Sequence, residues 1–186
     1  MINLIYNYYK DKNPARQKEI DFCLNKNLSN KNINTIVIES QDRLTYSYYF
    51  KKINSVTLPN DINIVCNSDI YLDDTILNCK NMAVDDCYAL SRWDLKTNGS
   101  AELFNRPDSQ DTWIFKGKIR SNLYGDIFLG MPGCDNRIAY EIVKAGYRLS
   151  NPSKTIKTYH VHSSNIRNYS KKHDTVPGPY KQISPT

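Results

Sequence analysis

Apolar residues come in short blocks separated by polar, turn-forming residues. Residues 2–8 (INLIYNY) read as a strand. Pro14 sits where a first helical turn accepts it. Ile20, Cys23, Leu24 and Leu28 then recur at helical spacing, so a helix is expected with these four on one face. Residues 34–39 (NTIVIE) form a continuous apolar run, the pattern of a strand buried on both faces. Residues 46–52 suggest a short helix and residues 55–58 a short strand. Residues 61–67 (DINIVCN) are the next buried strand.

Beyond it, Asp73 and Asp74 precede Thr75-Ile76-Leu77 in the manner of a helix start, with acids in the first turn. Residues 87–92 and 111–115 read as strands, and the polar stretch 96–110 between them as a loop. Residues 135–145 (DNRIAYEIVKA) give the clearest helical period: Ile138, Ile142 and Val143 mark its apolar face and Gly146 its stop. Residues 155–161 make a last strand, and from Ser163 onward the chain is polar and Pro-rich, a C-terminal extension or linker (164–186) behind a domain of 1–163. Strands alternating with helices imply an α/β fold with a mixed, mostly parallel central sheet flanked by helices. In such sheets ligands bind beyond the carboxyl ends of the strands. The informative positions are therefore the polar ones that follow each apolar run: Asn7, Glu39 to Arg43, Asn67 to Asp69, Arg92, His160 and His162.

Composition narrows the picture. A chain of 186 residues suffices for one domain with a real core. Its 40% hydrophobic and 24% charged residues suit a globular protein rather than a disordered one. No apolar run approaches the roughly 20 residues of a membrane span, and the N-terminus lacks a signal-peptide pattern, which points to the cytoplasm. The five cysteines are odd in number and show no C-x-x-C pair, so reduced thiols in or near the core are expected. The net charge of +6 is scattered rather than concentrated on one element. That argues against nucleic acid and suits a small anionic substrate such as a nucleotide diphosphate. The abundance of Asn, Lys, Ile and Tyr is the bias of an AT-rich genome.

Four segments carry candidate chemistry. In Ile64-Val65-Cys66-Asn67-Ser68-Asp69 a buried strand ends in a polar triplet with one carboxylate. A hard divalent cation that shares its shell with a diphosphate needs only one or two protein carboxylates, although Asp69 would equally serve as a turn or capping residue. Gly130-Met131-Pro132-Gly133-Cys134-Asp135 is a loop entering a helix. Asp135 there could be a general base for a hydroxyl, or a plain N-cap. In Tyr159-His160-Val161-His162 the histidines alternate, so they share a face and could complete a metal site, bind phosphate or lie solvated at an edge. In Gln110-Asp111-Thr112-Trp113-Ile114-Phe115, Trp113 could stack on a sugar face with Asp111 beside it, or both could be structural.

The order and spacing of these segments resemble the GT-A family of nucleotide-sugar glycosyltransferases over about residues 2–163. The similarity is greatest to the short glycosyltransferase domains of large DNA viruses and some bacteria. Asn67-Ser68-Asp69 looks like the family's D-x-D motif, Cys134-Asp135 like its E-D motif, Lys144-Ala145-Gly146 like its Arg/Lys-x-Gly helix end, and Tyr159-His160-Val161-His162-Ser163 like the strand that delivers a metal-binding histidine. The resemblance implies a GT-A-like (Rossmann-like) fold. It implies inverting transfer from a nucleotide-diphosphate sugar, a UDP-sugar first among them, to a glycan or other hydroxyl acceptor. Mn²⁺ or Mg²⁺ would be held by Asp69 and His162. Asn7, Glu39, Asn67, Ser68, Asp69 and Arg92 would bind the donor, Asp111 and Trp113 the acceptor or sugar, and Asp135 would be the base. It also implies a host-cytoplasmic location if the source is viral.

Two departures stand out. The D-x-D is thinned to a single carboxylate, and the acid that precedes the base is replaced by Cys134. The rival readings are a nucleotide-sugar-binding module without turnover, one domain of a larger protein, a nucleotidyltransferase and a glycosidase. Of these, a nucleotidyltransferase lacks its Gly-rich loop at Asn7-Tyr8-Tyr9-Lys10, and a glycosidase leaves the histidine strand unexplained.

Overall fold

A computed structural model describes residues 1–164, 166, 169–170 and 172–186. Its centre is a six-stranded sheet built from β1 (Ile2–Tyr8), β2 (Asn34–Glu39), β3 (Ile62–Cys66), β5 (Asp86–Leu90), β8 (Thr112–Lys116) and β9 (Arg148–Ser150), in the order β2-β1-β3-β8-β5-β9. The sheet is mixed rather than mostly parallel. β1 pairs in parallel with β2 and β3, and β5 with β9, but β8 enters antiparallel between β3 and β5. A second sheet of β4 (Ile70–Leu72), β6 (Trp93–Leu95), β7 (Ala101–Leu103) and β10 (Thr158–His160) has the order β4-β10-β6-β7.

The continuous apolar runs of β1, β3 and β8 are explained by burial on both faces. Ile5, Val65, Trp113 and Phe115 face one way, into a core shared with α2 (Tyr46–Val56) and α3 (Cys134–Lys144). Leu4, Tyr6, Ile64, Cys66 and Ile114 face the other, into a core shared with Cys23 of α1 (Pro14–Ser29), with β4, and with Ile76 and Cys79 of a 3₁₀ helix at Asp74–Asn81. Alternate residues of a strand point to opposite faces, so one run feeds two cores. All five cysteines are buried and free. Among the described residues no helix is long and apolar enough to cross a membrane.

Several local expectations are revised. Residues 55–58 are not a strand: α2 runs to Val56, because Tyr46, Tyr49, Phe50 and Ile53 give it a buried face at helical spacing. Val56 and Leu58, which suggested the strand, are exposed. The expected loop at 96–110 contains β7, paired antiparallel with β6 across a turn in which Gly99 takes a positive φ of 83°. Asn98-Gly99 is the hairpin signal. Val143 and Leu28 point outward, and the buried faces of α3 and α1 instead include Glu141 and Asn27. The final strand is shorter than 155–161, so His162 lies just past its end. The C-terminal extension is fastened to the domain by Val176 N–H to Pro132 O (2.9 Å), Lys181 N–H to Asn136 O (2.9 Å) and Ile183 N–H to Pro107 O (2.8 Å).

Asn27 joins the two sheets' layers. It is fully buried, donates from Nδ2 to Ile70 O (2.9 Å) and accepts Leu72 N–H at Oδ1 (3.0 Å), so an α1 side chain satisfies both ends of β4. Asn27→Leu removes both partners and strands two buried backbone groups. It should cost roughly 2–4 kcal/mol, read as a clear fall in denaturation midpoint.

Candidate functional site

The carboxyl ends of β1 and β3 open onto a cavity of about 1010 Å³. Asn7, Asn67, Ser68, Asp69, Arg92, Asp111, Asp135, His160 and His162 all line it. Tertiary folding therefore brings nearly every expected site residue to one place.

Asp69 sits in the turn between β3 and β4. Ile70 N–H bonds to Asn67 O (3.1 Å) to close the turn, and the Tyr6 hydroxyl donates to Ser68 O. Val161 N–H donates to Asp69 O (2.9 Å), which ties the histidine strand to the turn. The Asp69 side chain is buried, and its Oδ2 is a hub. Arg16 Nη2 lies 2.7 Å away, His160 Nε2 3.2 Å and His162 Nδ1 3.7 Å. Burial by itself would raise the Asp69 carboxyl. The His160 charge and the hydrogen bond from His160, with Arg16 behind them, outweigh it and hold the group well below the usual carboxylate range. Burial likewise opposes a charge on His160, but Asp69 and Asp94 push its imidazole up to about 9.

The two imidazoles stack at 5.4 Å with planes 11° apart, as alternate positions of an extended segment allow. Asp69, His160 and His162 offer ligand atoms within 4.8 Å of one another, so this group could hold a metal ion. The residues fit that use in two further respects. Asp69 Oδ1 is buried without a hydrogen-bond partner among the described residues. His160 Nδ1 is bound to Asp94 Oδ1 (2.8 Å), the carboxylate backing that orients a ligand histidine.

A second set of contacts links the same strand ends. Asn67 Nδ2 donates to Asp111 Oδ1 (2.7 Å), and Asp111 Oδ2 accepts from Arg92 Nη1 (2.9 Å). Arg92 Nε donates to Asp94 Oδ1 (2.8 Å), and the guanidinium lies 4.2 Å over the Phe104 ring.

Asp135 is the second residue of α3, not its cap. The cap is Gly133, which makes no side-chain cap bond and holds a positive φ of 77°, a conformation that favours glycine. Asp135 accepts from Gln110 N–H (3.3 Å) and Asn136 N–H (3.0 Å), and no cation pairs with it among the described residues. Burial, reinforced by the Asp111 charge, pushes its carboxyl up to about 7.

Two expected residues fall elsewhere. Trp113 is 1% exposed and packs edge-on against Tyr46 at 5.0 Å, so it is a core residue with no face open to a sugar. The strand alternation that buries Phe115 buries Trp113 with it. Glu39 is exposed at the end of β2 and does not line the cavity. Asn7 does line it, with a buried Oδ1 that lacks a hydrogen-bond partner among the described residues.

Sequence reasoning missed Arg16, Glu19 and Asp94. Arg16 carried one signal. It lies in the first turn of α1, which has no acid there, although a helix N-terminus disfavours a cation. Such a placement asks for a carboxylate from elsewhere in the fold. Asp94 looked like one polar residue in a short alternating segment and gave none.

No protein-family model matches the chain, and no curated protein matches it significantly.

The Asp135 environment has a stability consequence. Its folded pKa is raised above the unfolded value near 3.8, so its favourable contribution is complete below pH about 4 and is lost as pH rises through about 7. Asp135→Asn stays neutral at every pH. The variant should melt near the wild type at pH 4 and a few degrees higher at pH 8, measured by calorimetry across that window.

Proposed function

We propose that the chain is a glycosyltransferase of GT-A-like fold that moves a sugar from a nucleotide-diphosphate donor, a UDP-sugar, to a hydroxyl acceptor with inversion. One observation carries this reading. A buried Asp/His/His group and a separate carboxylate raised to about 7 face the same cavity, whose size suits a nucleotide sugar. Lys10, Lys12, Arg43 and Arg106 also line that cavity, beside aspartates such as Asp11, Asp42 and Asp108, and would supply positive charge to a diphosphate.

Asp69, His160 and His162 are the residues that would hold Mn²⁺ or Mg²⁺, and their mixed nitrogen and oxygen donors suit Mn²⁺ better. A divalent ion bound there supplies charge to the leaving diphosphate. Asn7 Oδ1, which has no hydrogen-bond partner among the described residues, would accept an N–H from the nucleobase edge. Arg92 is held by Asp94 and Asp111 and keeps its guanidinium fixed at the cavity wall, where it opposes phosphate charge. Asp135 takes the proton from the acceptor hydroxyl, which then attacks the anomeric carbon from the face opposite the nucleotide. A carboxylate that titrates near neutrality is a stronger base than an ordinary aspartate and still largely ionised above pH 7. Positioning and leaving-group electrostatics supply most of the acceleration.

A nucleotide-sugar-binding module without turnover is the second reading, favoured by the Arg16 guanidinium that already sits on Asp69 and His162.

Thermal shift against UDP-, GDP- and TDP-sugars, with and without Mn²⁺, should show stabilisation by one of them that grows with Mn²⁺, together with slow release of free nucleotide. Binding with no release favours the module. Asp135→Asn should lower transfer at least 1000-fold, on the order of 4 kcal/mol in the barrier, and leave nucleotide affinity unchanged. Normal turnover in that variant would sink the base assignment. In the wild type kcat/KM should fall about tenfold per pH unit below about 7, as Asp135 takes up its proton.

A further inference from the structure

Arg16 is an unusual neighbour for a group of metal-ligand type. It is buried in the first turn of α1, with Nη2 2.7 Å from Asp69 Oδ2 and Nη1 2.7 Å from His162 Nδ1. A guanidinium only donates, so His162 must present the lone pair of Nδ1 and carry its proton on Nε2. Asp69 ionised and His162 neutral with a free lone pair is the state a metal ligand has to reach before it can bind. Arg16 thus holds the two residues ready and covers the lone pairs at the same time. What it leaves uncovered, Asp69 Oδ1 and His162 Nε2, has no hydrogen-bond partner among the described residues.

Glu19 gives the guanidinium a second anchor. Its Oε2 accepts from Arg16 Nη1 (3.0 Å), and its carboxylate is held by Ser163 Oγ (3.0 Å) and Ser164 N–H (2.7 Å). Arg16 released from Asp69 would keep an ion pair with Glu19, so its departure leaves no buried cation unpaired.

We infer that Arg16 is a built-in competitor for the cation seat: its guanidinium and a divalent ion use the same Asp69 and His162 lone pairs, and only one of them occupies the group at a time. The inference rests on the metal reading of Asp69, His160 and His162 given above.

The test is Mn²⁺ titration of the nucleotide-free protein, followed by calorimetry and by the spin-resonance signal of free Mn²⁺. Wild type, Arg16→Met and Arg16→Lys are compared, with Asp69→Asn to locate the ion. Arg16→Lys keeps the positive charge, but one ammonium cannot span Asp69 and His162, and it serves alone if Arg16→Met does not fold. Both Arg16 variants should bind Mn²⁺ about tenfold more tightly than the wild type, about 1.4 kcal/mol, and Asp69→Asn should lose the ion. Arg16→Lys at or below wild-type affinity overturns the inference, because Arg16 is then an ion-pair partner or a source of charge and no competitor. Mn²⁺ binding that survives Asp69→Asn also overturns it, since the ion then sits elsewhere. Absence of Mn²⁺ binding in all four proteins overturns the metal reading itself, a different result from equal binding in wild type and both Arg16 variants.

Discussion

A single buried carboxylate organises this molecule. Asp69 lies where an ionised group cannot be left unpaired, and breaking a buried pair by removing one partner typically costs about 3–5 kcal/mol. Its partners come from distant parts of the chain: Arg16 from the first turn of α1, His160 from the end of β10, and His162 just beyond it. Pairing the charge therefore fixes the entry of α1 and the end of β10 in the second sheet against the end of β3. The backbone adds to this through Tyr6 to Ser68 and Val161 to Asp69.

From Asp69 the contacts close into a ring. His160 leads to Asp94, Asp94 to Arg92, Arg92 to Asp111, and Asp111 to Asn67, two residues before Asp69. Carboxylates alternate with cations around most of it, so each buried charge has an opposite neighbour. Asp135 stands outside the ring. It meets backbone amides and the Asp111 charge but no cation, and so its carboxyl is pushed up while that of Asp69 is held down. Two aspartates that face one cavity are thereby given opposite protonation behaviour by their surroundings. The proposed transfer uses that division, with Asp69 permanently anionic beside the leaving group and Asp135 able to exchange a proton.

Much of this was legible along the chain where the signal was local. The runs at 2–8, 34–39 and 61–67 became β1, β2 and β3, and polar residues after each of them line the cavity. Asp69, Asp135, His160 and His162 stood out because each sat in or beside a recognisable element. Trp113 and Glu39 were misplaced for one reason: the sequence shows that a strand is present, but not what each of its side chains faces. Trp113 points into the core shared with α2 and α3, and Glu39 lies on β2, at the edge of its sheet and outside the cavity. The antiparallel entry of β8 was hidden too, since strand direction leaves no mark on an apolar run buried on both faces.

The sequence by itself determined the α/β character, the site-bearing strand ends and the residue types available for chemistry, because periodicity and turn chemistry act over a few neighbouring residues. Only the tertiary structure decided which charges meet. Arg16 and Asp69 are 53 positions apart, and Arg16 and His162 are 146 apart. Nothing local records such pairings. They follow from the cost of burying a charge alone, which is settled only when the whole chain has closed around it.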